Sequence, residues 1–388
     1  EYDSLYRYQT LQQLLEEYKG KYTFDFMVKA NEQVFPRKAA QRLGGPAMTL
    51  RPLWQVVYDQ TDVAMRIRFW LKDGNTDAEG RVAMADALED RLKSSREQFK
   101  KVGMEIKDEH CFVGFDAYKK LLEIPEINYV ILATPPHFRP VQLRAAVEAG
   151  KNVFIEKPAA VDTNGVHSII ESGEIAKKKG LAIGTGTQRR SVNSFREVVK
   201  RIHEGEIGDI RSGVSRWLIG ELWYLEPKPE WSDMENQLRN WMYYEWLSGD
   251  IFVEQFIHSI DLMNWVCQST PTKAIGLGGR QVRTGSTFGN AYDHYSVQYE
   301  YPNDITIFCL DRQINGCANY IDDVFIGAKG RGHFSYQHTG ISIKDGDAWR
   351  YRGDKNNAYQ TEHDDLIHSI RIGDPVNEAR QMAESTMT

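Results

Sequence analysis

YVILATPPH at residues 129–137 and NVFIEKP at residues 152–158 decide the fold of this chain. Each begins with a short run of apolar, partly β-branched residues, which is typical of a buried strand. The segment between them, residues 140–149, has a helical pattern that Gly150 stops. Two strands joined by a helix in this way lie parallel, with a right-handed crossover. The stretch therefore predicts one unit of a parallel α/β sheet.

The same alternation continues on both sides of this unit. Upstream, a strand over 81–85 ends at Asp86 and a helix follows over 88–102; downstream, a helix over 163–179 precedes a strand over 181–184. Further along, long β-rich segments cover residues 210–217, 273–282, 295–301, 306–313 and 324–328. The sequence thus predicts an α/β fold with a Rossmann-like parallel sheet. An α+β domain follows, with a large, open, mainly antiparallel sheet that helices cover on one face.

Residues 1–75 differ in character from the rest. An amphipathic helix pattern precedes strand-like stretches at 53–58 and 63–71, and Asp73-Gly74 marks a turn after the second stretch. This segment reads as a helix plus a hairpin. We therefore predict three parts: residues 1–75, an N-terminal segment of different origin; residues 76–160, an incomplete Rossmann-like nucleotide-binding domain; and residues 161–388, an α+β domain for substrate binding and oligomerisation.

Composition excludes several classes of function. The 388 residues are 41% hydrophobic and 26% charged, as in an ordinary globular protein, and the net charge of −6 argues against an extended nucleic-acid surface. No run of about 18 apolar residues appears, so no membrane span is expected. The four cysteines form no CxxC pair. Cys309 and Cys317, eight residues apart in strand-like sequence, are predicted to be two buried free thiols, with a disulfide pair across a hairpin as the alternative. Glu1 stands where Met is usual, which fits a removed signal peptide or a fragment, so cytoplasmic and exported locations both stay open.

Both apolar runs at 129–133 and 152–155 end in residues that suit a binding site. Ligands of open α/β sheets bind at the carboxyl ends of the parallel strands. Thr134-Pro135-Pro136-His137 cannot continue a strand ladder, so the chain turns away there. Lys157 ends the next strand, where an ammonium group has no packing role and is costly to bury unpaired. The alternative for Lys157 is a solvated loop residue.

A second set of polar residues follows Ser248-Gly249-Asp250. If residues 251–266 form one helix, Glu254, His258 and Asp261 lie on one face at i, i+4 and i+7. That face would place a carboxylate beside an imidazole that exchanges a proton near neutral pH. A polar stripe without a role is the alternative. Helix spacing alone is weak evidence for a metal, and none is predicted.

From about residue 82 onward the chain resembles the Gfo/Idh/MocA oxidoreductases, the relatives of glucose–fructose oxidoreductase and inositol dehydrogenase. The matching stretches are VAMAD at 82–86, ATPPH at 133–137, EKP at 156–158, QRR at 188–190 and the block at 254–261. Asn240-Trp241 and the stretch GRQVR at 279–283 resemble one subgroup of the family.

The resemblance implies NAD as cofactor. Asp86 would accept hydrogen bonds from the adenosine ribose, and its charge favours NAD over NADP, whose phosphate it would repel. The nicotinamide end would be lined by residues of the two strand-end motifs, namely Thr134, Pro135, His137, Glu156, Lys157 and Pro158. The resemblance also implies association through the open face of the second sheet, as a dimer or a tetramer.

Catalytic and substrate roles are likewise implied by the resemblance. Lys157 would hydrogen-bond the reacting hydroxyl and His258 would take its proton. Glu254 stands where family members often have Asp. Contacts to substrate hydroxyls are expected from Gln188, Arg189, Arg190, Asn240 and Asp261. The aromatic segment 217–246 either stacks on a sugar ring or forms ordinary core.

The chain departs from the family at its phosphate-binding turn. A Gly-rich turn, usually GxGxxG, is expected 25 to 30 residues before Asp86 in this family, but Val57 to Val63 contain no glycine. The sequence therefore predicts a parallel sheet without its usual first strand and turn. Residues 50–59 faintly resemble the C-terminal end of linear-amide hydrolases with an N-terminal Cys nucleophile. The first cysteine is Cys111, so amide hydrolysis is not expected.

The predicted function is NAD-dependent hydride transfer from a sugar or polyol hydroxyl carbon. Two alternatives remain open. One is a glycosidase of the same family that uses NAD transiently and shows no net redox change. The other is a non-catalytic relative that has lost cofactor binding.

Overall fold

The computed structural model describes residues 64–66, for which only the backbone is described, and residues 83–101, 105–285 and 288–388. The N-terminal helix predicted within residues 1–75, and all of its predicted hairpin except residues 64–66, lie outside the described residues. Two sheets organise the rest. Among the described residues, no helix has the length and apolar character that crossing a membrane requires.

The first sheet has six strands in the order β3-β2-β1-β4-β5-β6. The strands are β1 Ala64–Arg66, β2 Met84–Asp86, β3 Cys111–Val113, β4 Tyr129–Leu132, β5 Asn152–Ile155 and β6 Ile183–Thr185. The helices are α1 Glu89–Lys101, α2 Ala117–Leu122, α3 Arg139–Glu148 and α4 Thr163–Lys179. The pairs β2–β3, β4–β5 and β5–β6 are parallel, as predicted. The sheet continues past residue 160, the predicted domain boundary, to include β6.

The central position of this sheet is filled by β1, which is not the parallel first strand that a Rossmann-like sheet usually has. β1 lies between β2 and β4 and runs antiparallel to both, with Ala64 opposite Asp86 and Arg66 opposite Ile131. The sequence pattern could not reveal this pairing because it joins segments about 20 and 65 residues apart. Since β1 runs the opposite way, its carboxyl end lies at the edge away from Asp86.

The second sheet has eight strands in the order β14-β13-β12-β11-β7-β10-β9-β8. The strands are β7 Ile210–Ile219, β8 Lys273–Gly279, β9 His294–Tyr301, β10 Ile305–Gln313, β11 Tyr320–Gly327, β12 Gly330–Phe334, β13 Gly340–Ile343 and β14 Ala348–Arg350. Only β7 and β10 pair in parallel; the other neighbours are antiparallel. The predicted mainly antiparallel sheet is confirmed.

Helices cover one face of this sheet and leave the other open. The helices in this part of the chain are α5 Asn193–His203, α6 Asp233–Arg239, α7 Glu245–Ser248, α8 Asp250–Glu254, α9 Ile257–Cys267, α10 Ala358–Arg371 and α11 Ala379–Met387. α5 and α9 pack on the covered face of the second sheet, whereas Leu366 of α10 packs against β4 and β5 of the first sheet. Along β10, Ile305, Ile307 and Cys309 point into the core, while Phe308 and Leu310 alternate with them and are exposed. Helix α11 returns to the first sheet, where Met382 joins the hydrophobic core.

Cys309 and Cys317 are free thiols, as predicted. Their burial differs from the prediction, because Cys309 is buried but Cys317 is exposed. Cys317 follows the end of β10, beyond the alternating face that buries Cys309. Because the sequence around both residues is strand-like, it did not indicate this difference in burial.

Candidate functional site

The carboxyl ends of β2, β4 and β5 form one edge of the first sheet. Asp86 ends β2, and its buried carboxylate oxygen Oδ1 accepts a hydrogen bond of 2.8 Å from the amide of Leu88. After β4 the chain turns through Thr134 and Pro135, and after β5 it continues as Glu156-Lys157-Pro158. The structure therefore brings the predicted cofactor residues to the same edge.

Arg139 joins the two strand-end loops. Its Nε donates to the carbonyl of Thr134 at 2.8 Å and its Nη1 donates to the carbonyl of Pro158 at 2.6 Å. The Thr134 hydroxyl donates to Gln142 at 2.6 Å. Burial lowers the pKa of the Arg139 guanidinium to about 9. Sequence reasoning missed this residue, although an arginine in the first turn of a helix, where the dipole disfavours cations, was a signal.

Lys157 pairs with Glu254 across the boundary between the two sheets. Its Nζ donates to Glu254 Oε1 at 2.5 Å and to the Glu254 carbonyl at 2.6 Å. The side chains are only 7% and 5% exposed. Glu254 Oε2 accepts a further hydrogen bond of 2.6 Å from Gln255. An ammonium group has three donors, so this pairing occupies two of those of Lys157 and leaves one for another acceptor.

The predicted continuous helix over 251–266 is wrong, because the structure divides it into α8 and α9. The break follows Glu254, whose carbonyl accepts a hydrogen bond from the Lys157 ammonium. The amide of Phe256 bonds to the carbonyl of Ile251, five residues back, which interrupts the i→i−4 ladder. Glu254 and His258 consequently lie on separate short helices, not on one continuous helical face.

His258 lies in the first turn of α9 with its ring buried. The ring stacks on Trp217 of β7, with ring centroids 5.4 Å apart and an angle of 26° between the planes. Its Nδ1 has no hydrogen-bond partner among the described residues. Burial and the positive charges of Lys157 and Arg189 hold the pKa of His258 well below its usual range. The imidazole is therefore neutral at neutral pH and able to accept a proton.

Glu156 is buried beside this centre. Burial raises the pKa of its carboxyl to about 8. One oxygen accepts a hydrogen bond of 3.1 Å from the amide of Lys157. A Cβ atom on Gly186 would lie 2.6 Å from the Glu156 oxygens, so this close approach requires glycine at 186.

Three of the predicted substrate residues are held in internal ion pairs. Arg190 binds Asp261 at 2.8 Å, and Asp261 also accepts from Gln381 at 2.5 Å. Arg189 binds Asp323 of β11 at 2.7 Å. These contacts connect α9 to α11 and to the second sheet.

The remaining predicted residues lie in different surroundings. Asn240 is buried, and its amide exchanges two hydrogen bonds of 2.9 Å with the backbone of Leu225. Gln188 donates to Tyr359 at 3.3 Å, and its Oε1 has no partner among the described residues. His137 is exposed and its ring meets the edge of Trp246, with centroids 5.0 Å apart.

The aromatic segment 217–246 divides between site and core. Trp217 lies against His258, whereas Trp241 and Tyr243 are buried in a separate hydrophobic cluster. Sequence reasoning left this choice open. The alternation of buried residues along β7 now places Trp217 on the face that meets α9.

The described residues fit the two ends of a dinucleotide. Asp86 offers a carboxylate, which only accepts hydrogen bonds and so suits a ribose diol. At the other end, Lys157 lies near the imidazole of His258, and Arg139 joins the Thr134 loop to the carbonyl of Pro158. The position of the pyrophosphate differs from that of a usual Rossmann fold. The sequence contains no GxGxxG, and β1 runs antiparallel to its neighbours. Among the described residues, no cluster of His, Cys, Asp and Glu is suited to a metal ion.

Two family models match the chain. Residues 75–187 match the oxidoreductase family with an NAD-binding Rossmann fold, and residues 195–310 match the GFO/IDH/MocA C-terminal domain. Together they cover more than half of the 388 residues.

Relatives with known names match parts of the chain. Myo-inositol 2-dehydrogenase of Thermotoga maritima is 27% identical over 186 residues, which cover 47% of this chain and 46% of the relative. The 2,7-anhydro-N-acetylneuraminate hydratase of Escherichia coli is 24% identical over 235 residues, covering 60% of this chain and 58% of the relative. The chain thus matches about half the length of these relatives.

A solved structure shares the fold. The aldose-aldose oxidoreductase from Caulobacter crescentus, complexed with glycerol, superposes with a TM-score of 0.62 at 19% identity. The match covers 79% of this chain and 86% of that one. A match over this share of both chains shows that the two proteins share the fold.

Proposed function

Because the chain belongs to the Gfo/Idh/MocA oxidoreductase family, we propose that it transfers a hydride from a hydroxyl-bearing carbon of a sugar or polyol to NAD. The observation that carries this proposal is the 2.5 Å pair between Lys157 and Glu254. It brings a lysine at the cofactor edge to the helices that hold His258. The myo-inositol dehydrogenase among the relatives supports the polyol as substrate class.

Proton transfer is the task of Lys157 and His258. The third donor of Lys157 Nζ would hydrogen-bond the oxygen of the reacting hydroxyl. The neutral His258 would accept the hydroxyl proton at Nδ1, which has no partner among the described residues. Bound NAD would supply the acceptor for the hydride. Glu254 would hold Lys157 in position, because its carboxylate and its carbonyl both accept hydrogen bonds from Nζ.

The choice of NAD over NADP rests on Asp86. Its carboxylate lies at the end of β2, where the adenosine ribose binds in Rossmann folds, and it would repel a 2′-phosphate. Thr134, Pro135, His137, Glu156 and Pro158 would surround the nicotinamide end. Direct substrate contact is proposed for Gln188, whose Oε1 is free of partners among the described residues. Arg189, Arg190, Asn240 and Asp261 would shape the site through their internal contacts.

A second candidate is chemistry without net oxidation. The Escherichia coli relative is named a hydratase, and it matches 60% of this chain. A glycosidase or lyase that uses NAD transiently would need the same Lys157 and His258. Product analysis distinguishes the two candidates: accumulation of NADH supports dehydrogenation, and release of a changed sugar without NADH supports the second candidate.

Association through the open sheet face is also proposed. Ile275, Leu277, Phe308 and Leu310 lie on that face and are exposed; Leu277 alone is 70% exposed. Register places Leu277 and Leu310 both opposite Ser296 of β9, so the apolar side chains are contiguous. A patch of this kind on an open sheet is typical of a protein interface.

The test begins with the cofactor. Titration of the full chain with NAD⁺ and NADH, followed by calorimetry, should show binding, and a screen with myo-inositol and D-glucose should then show NADH formation. Lys157→Ala should reduce turnover by about 10²- to 10⁴-fold. Lys119→Ala, at an exposed lysine of α2, is the matched control and should not change turnover. Folded protein that binds no NAD at millimolar concentration would indicate a non-catalytic relative.

A further inference from the structure

Asp311 is a buried carboxyl group on the inner face of β10. That face also carries Ile307 and Cys309, because alternate residues of a strand point the same way. Cys309 contacts Met263 of α9, with the two sulfur atoms 3.6 Å apart. Asp311 follows two residues later and is only 1% exposed. It therefore lies on the side of the sheet that faces the helix bearing His258.

Neither carboxyl oxygen of Asp311 has a hydrogen-bond partner among the described residues. Asp323, on the same face of β11, shows the contrast: it is equally buried, but Arg189 and Ser215 both donate to it. A buried carboxyl without partners is costly, and native proteins seldom leave one without a reason. Burial and the nearby carboxylates of Asp250 and Glu254 raise the pKa of Asp311 well above its usual range.

The neighbours of Asp311 also present polar atoms without partners. Trp217 and Tyr295 are its partners in strand register on either side. The indole Nε1 of Trp217 and the amide Nε2 of Gln313 have no partner among the described residues, and neither has His258 Nδ1. Since Trp217 stacks on His258, the two carboxyl oxygens of Asp311, the two donors and the imidazole lie in neighbouring buried positions.

We infer that Asp311 is a specificity-determining residue that binds two adjacent hydroxyl groups of a polyhydroxylated substrate. This inference rests on the proposed function, because it places the substrate between β10 and His258. The two carboxyl oxygens match a pair of neighbouring hydroxyls. Trp217 Nε1 and Gln313 Nε2 donate to further substrate oxygens. The substrate class is thus a sugar or polyol with adjacent hydroxyls, and not a simple alcohol.

The test removes the carboxyl without changing its size. Asp311→Asn should weaken binding of the better of D-glucose and myo-inositol about 10- to 100-fold in calorimetric titration with NADH present. If D-glucose is the better ligand, 2-deoxy- and 3-deoxy-D-glucose should show which hydroxyl is bound, because the effect of Asp311→Asn should shrink for the sugar that lacks it. Asp304→Asn, an exposed position just before the same strand, is the matched control and should bind as the unaltered protein does.

A second variant covers the case in which Asp311→Asn does not fold. Trp217→Phe keeps an aromatic ring against His258 but removes the indole N–H, and it should also weaken sugar binding, by about 5- to 20-fold. Unchanged affinity in folded Asp311→Asn would overturn the inference. If that variant is unfolded, unchanged affinity in Trp217→Phe would overturn it.

Failure of this inference is distinguishable from failure of the proposed function. NADH formation that does not depend on Asp311 would keep the function and reject the inference. Sugar binding that depends on Asp311 without NADH formation would keep the inference and reject net dehydrogenation. Unaltered protein that binds neither D-glucose nor myo-inositol would contradict both.

Discussion

Replacing Glu254 by Gln should destabilise the protein substantially, because it leaves the Lys157 ammonium buried without its counter-ion. The pair joins a strand end of the first sheet to α8, and its side chains are 7% and 5% exposed. Removing one member of a buried pair costs about 3–5 kcal/mol. Lys157 would retain its hydrogen bond of 2.6 Å to the Glu254 carbonyl, so the lower end, about 3 kcal/mol, is expected.

Thermal unfolding followed by tryptophan fluorescence measures this cost. A loss of about 3 kcal/mol corresponds to a fall of about 6–12 °C in Tm for a unit of 150–250 residues. The double variant Lys157→Met/Glu254→Gln removes both charges. It should recover to within about 1 kcal/mol of the unaltered protein, because no unpaired charge remains.

A surface pair provides the matched control. Asp116 and Lys119 lie 2.7 Å apart with side chains 77% and 59% exposed. Asp116→Asn should change stability by less than about 1 kcal/mol, because solvent screens exposed pairs. The reasoning is refuted if Glu254→Gln unfolds at the temperature of the unaltered protein. It is refuted equally if the double variant is no more stable than Glu254→Gln alone.

Two further predictions concern pH and assembly. The pKa of Glu156 rises from 4.5 to about 8, so the folded protein keeps a proton that the unfolded chain releases, and stability falls as pH rises from about 4.5 to 8. The Tm of Glu156→Gln should therefore rise relative to that of the unaltered protein over that range. Above pH 8 the difference between the two Tm values should be constant. A difference in Tm that does not depend on pH would contradict this assignment. The proposed association through the open sheet face predicts that Leu277→Asp lowers the mass found in analytical ultracentrifugation, because it places a charge in the exposed apolar patch. Asp304→Asn, outside the patch, should leave the mass unchanged. An unaltered mass for Leu277→Asp would argue against this interface.

Local sequence was sufficient to predict the strand ends that carry Lys157 and Thr134. A five-residue apolar run followed by Thr-Pro-Pro specifies both the strand and the point where it stops, since these signals act over a few residues. The mainly antiparallel second sheet was predictable for the same reason. His258 was identified by its spacing from Glu254, although the helix that this spacing assumed is interrupted.

The rest depends on contacts between segments far apart in sequence. The carbonyl of Glu254 accepts a hydrogen bond from Lys157, 97 residues away, and α8 ends at Glu254. Asp311 is an isolated acid in a strand pattern, and only its register with Trp217 shows that it lies near His258. The low pKa of His258 likewise arises from burial and from Lys157 and Arg189, which approach it only in the folded chain.

The direction of β1 concerns one part of the cofactor site, the position where a Rossmann fold binds the pyrophosphate. In a Rossmann fold the central strand leads at its carboxyl end into the glycine turn and a helix N-terminus, which bind the pyrophosphate. Here Ala64, the amino end of β1, lies opposite Asp86, so the carboxyl end of β1 lies at the other edge of the sheet. β1 therefore does not lead to the edge that carries Asp86, as the first strand of a Rossmann fold does. Among the described residues, Asp86 and the ends of β4 and β5 are the groups from which we expect affinity for NAD.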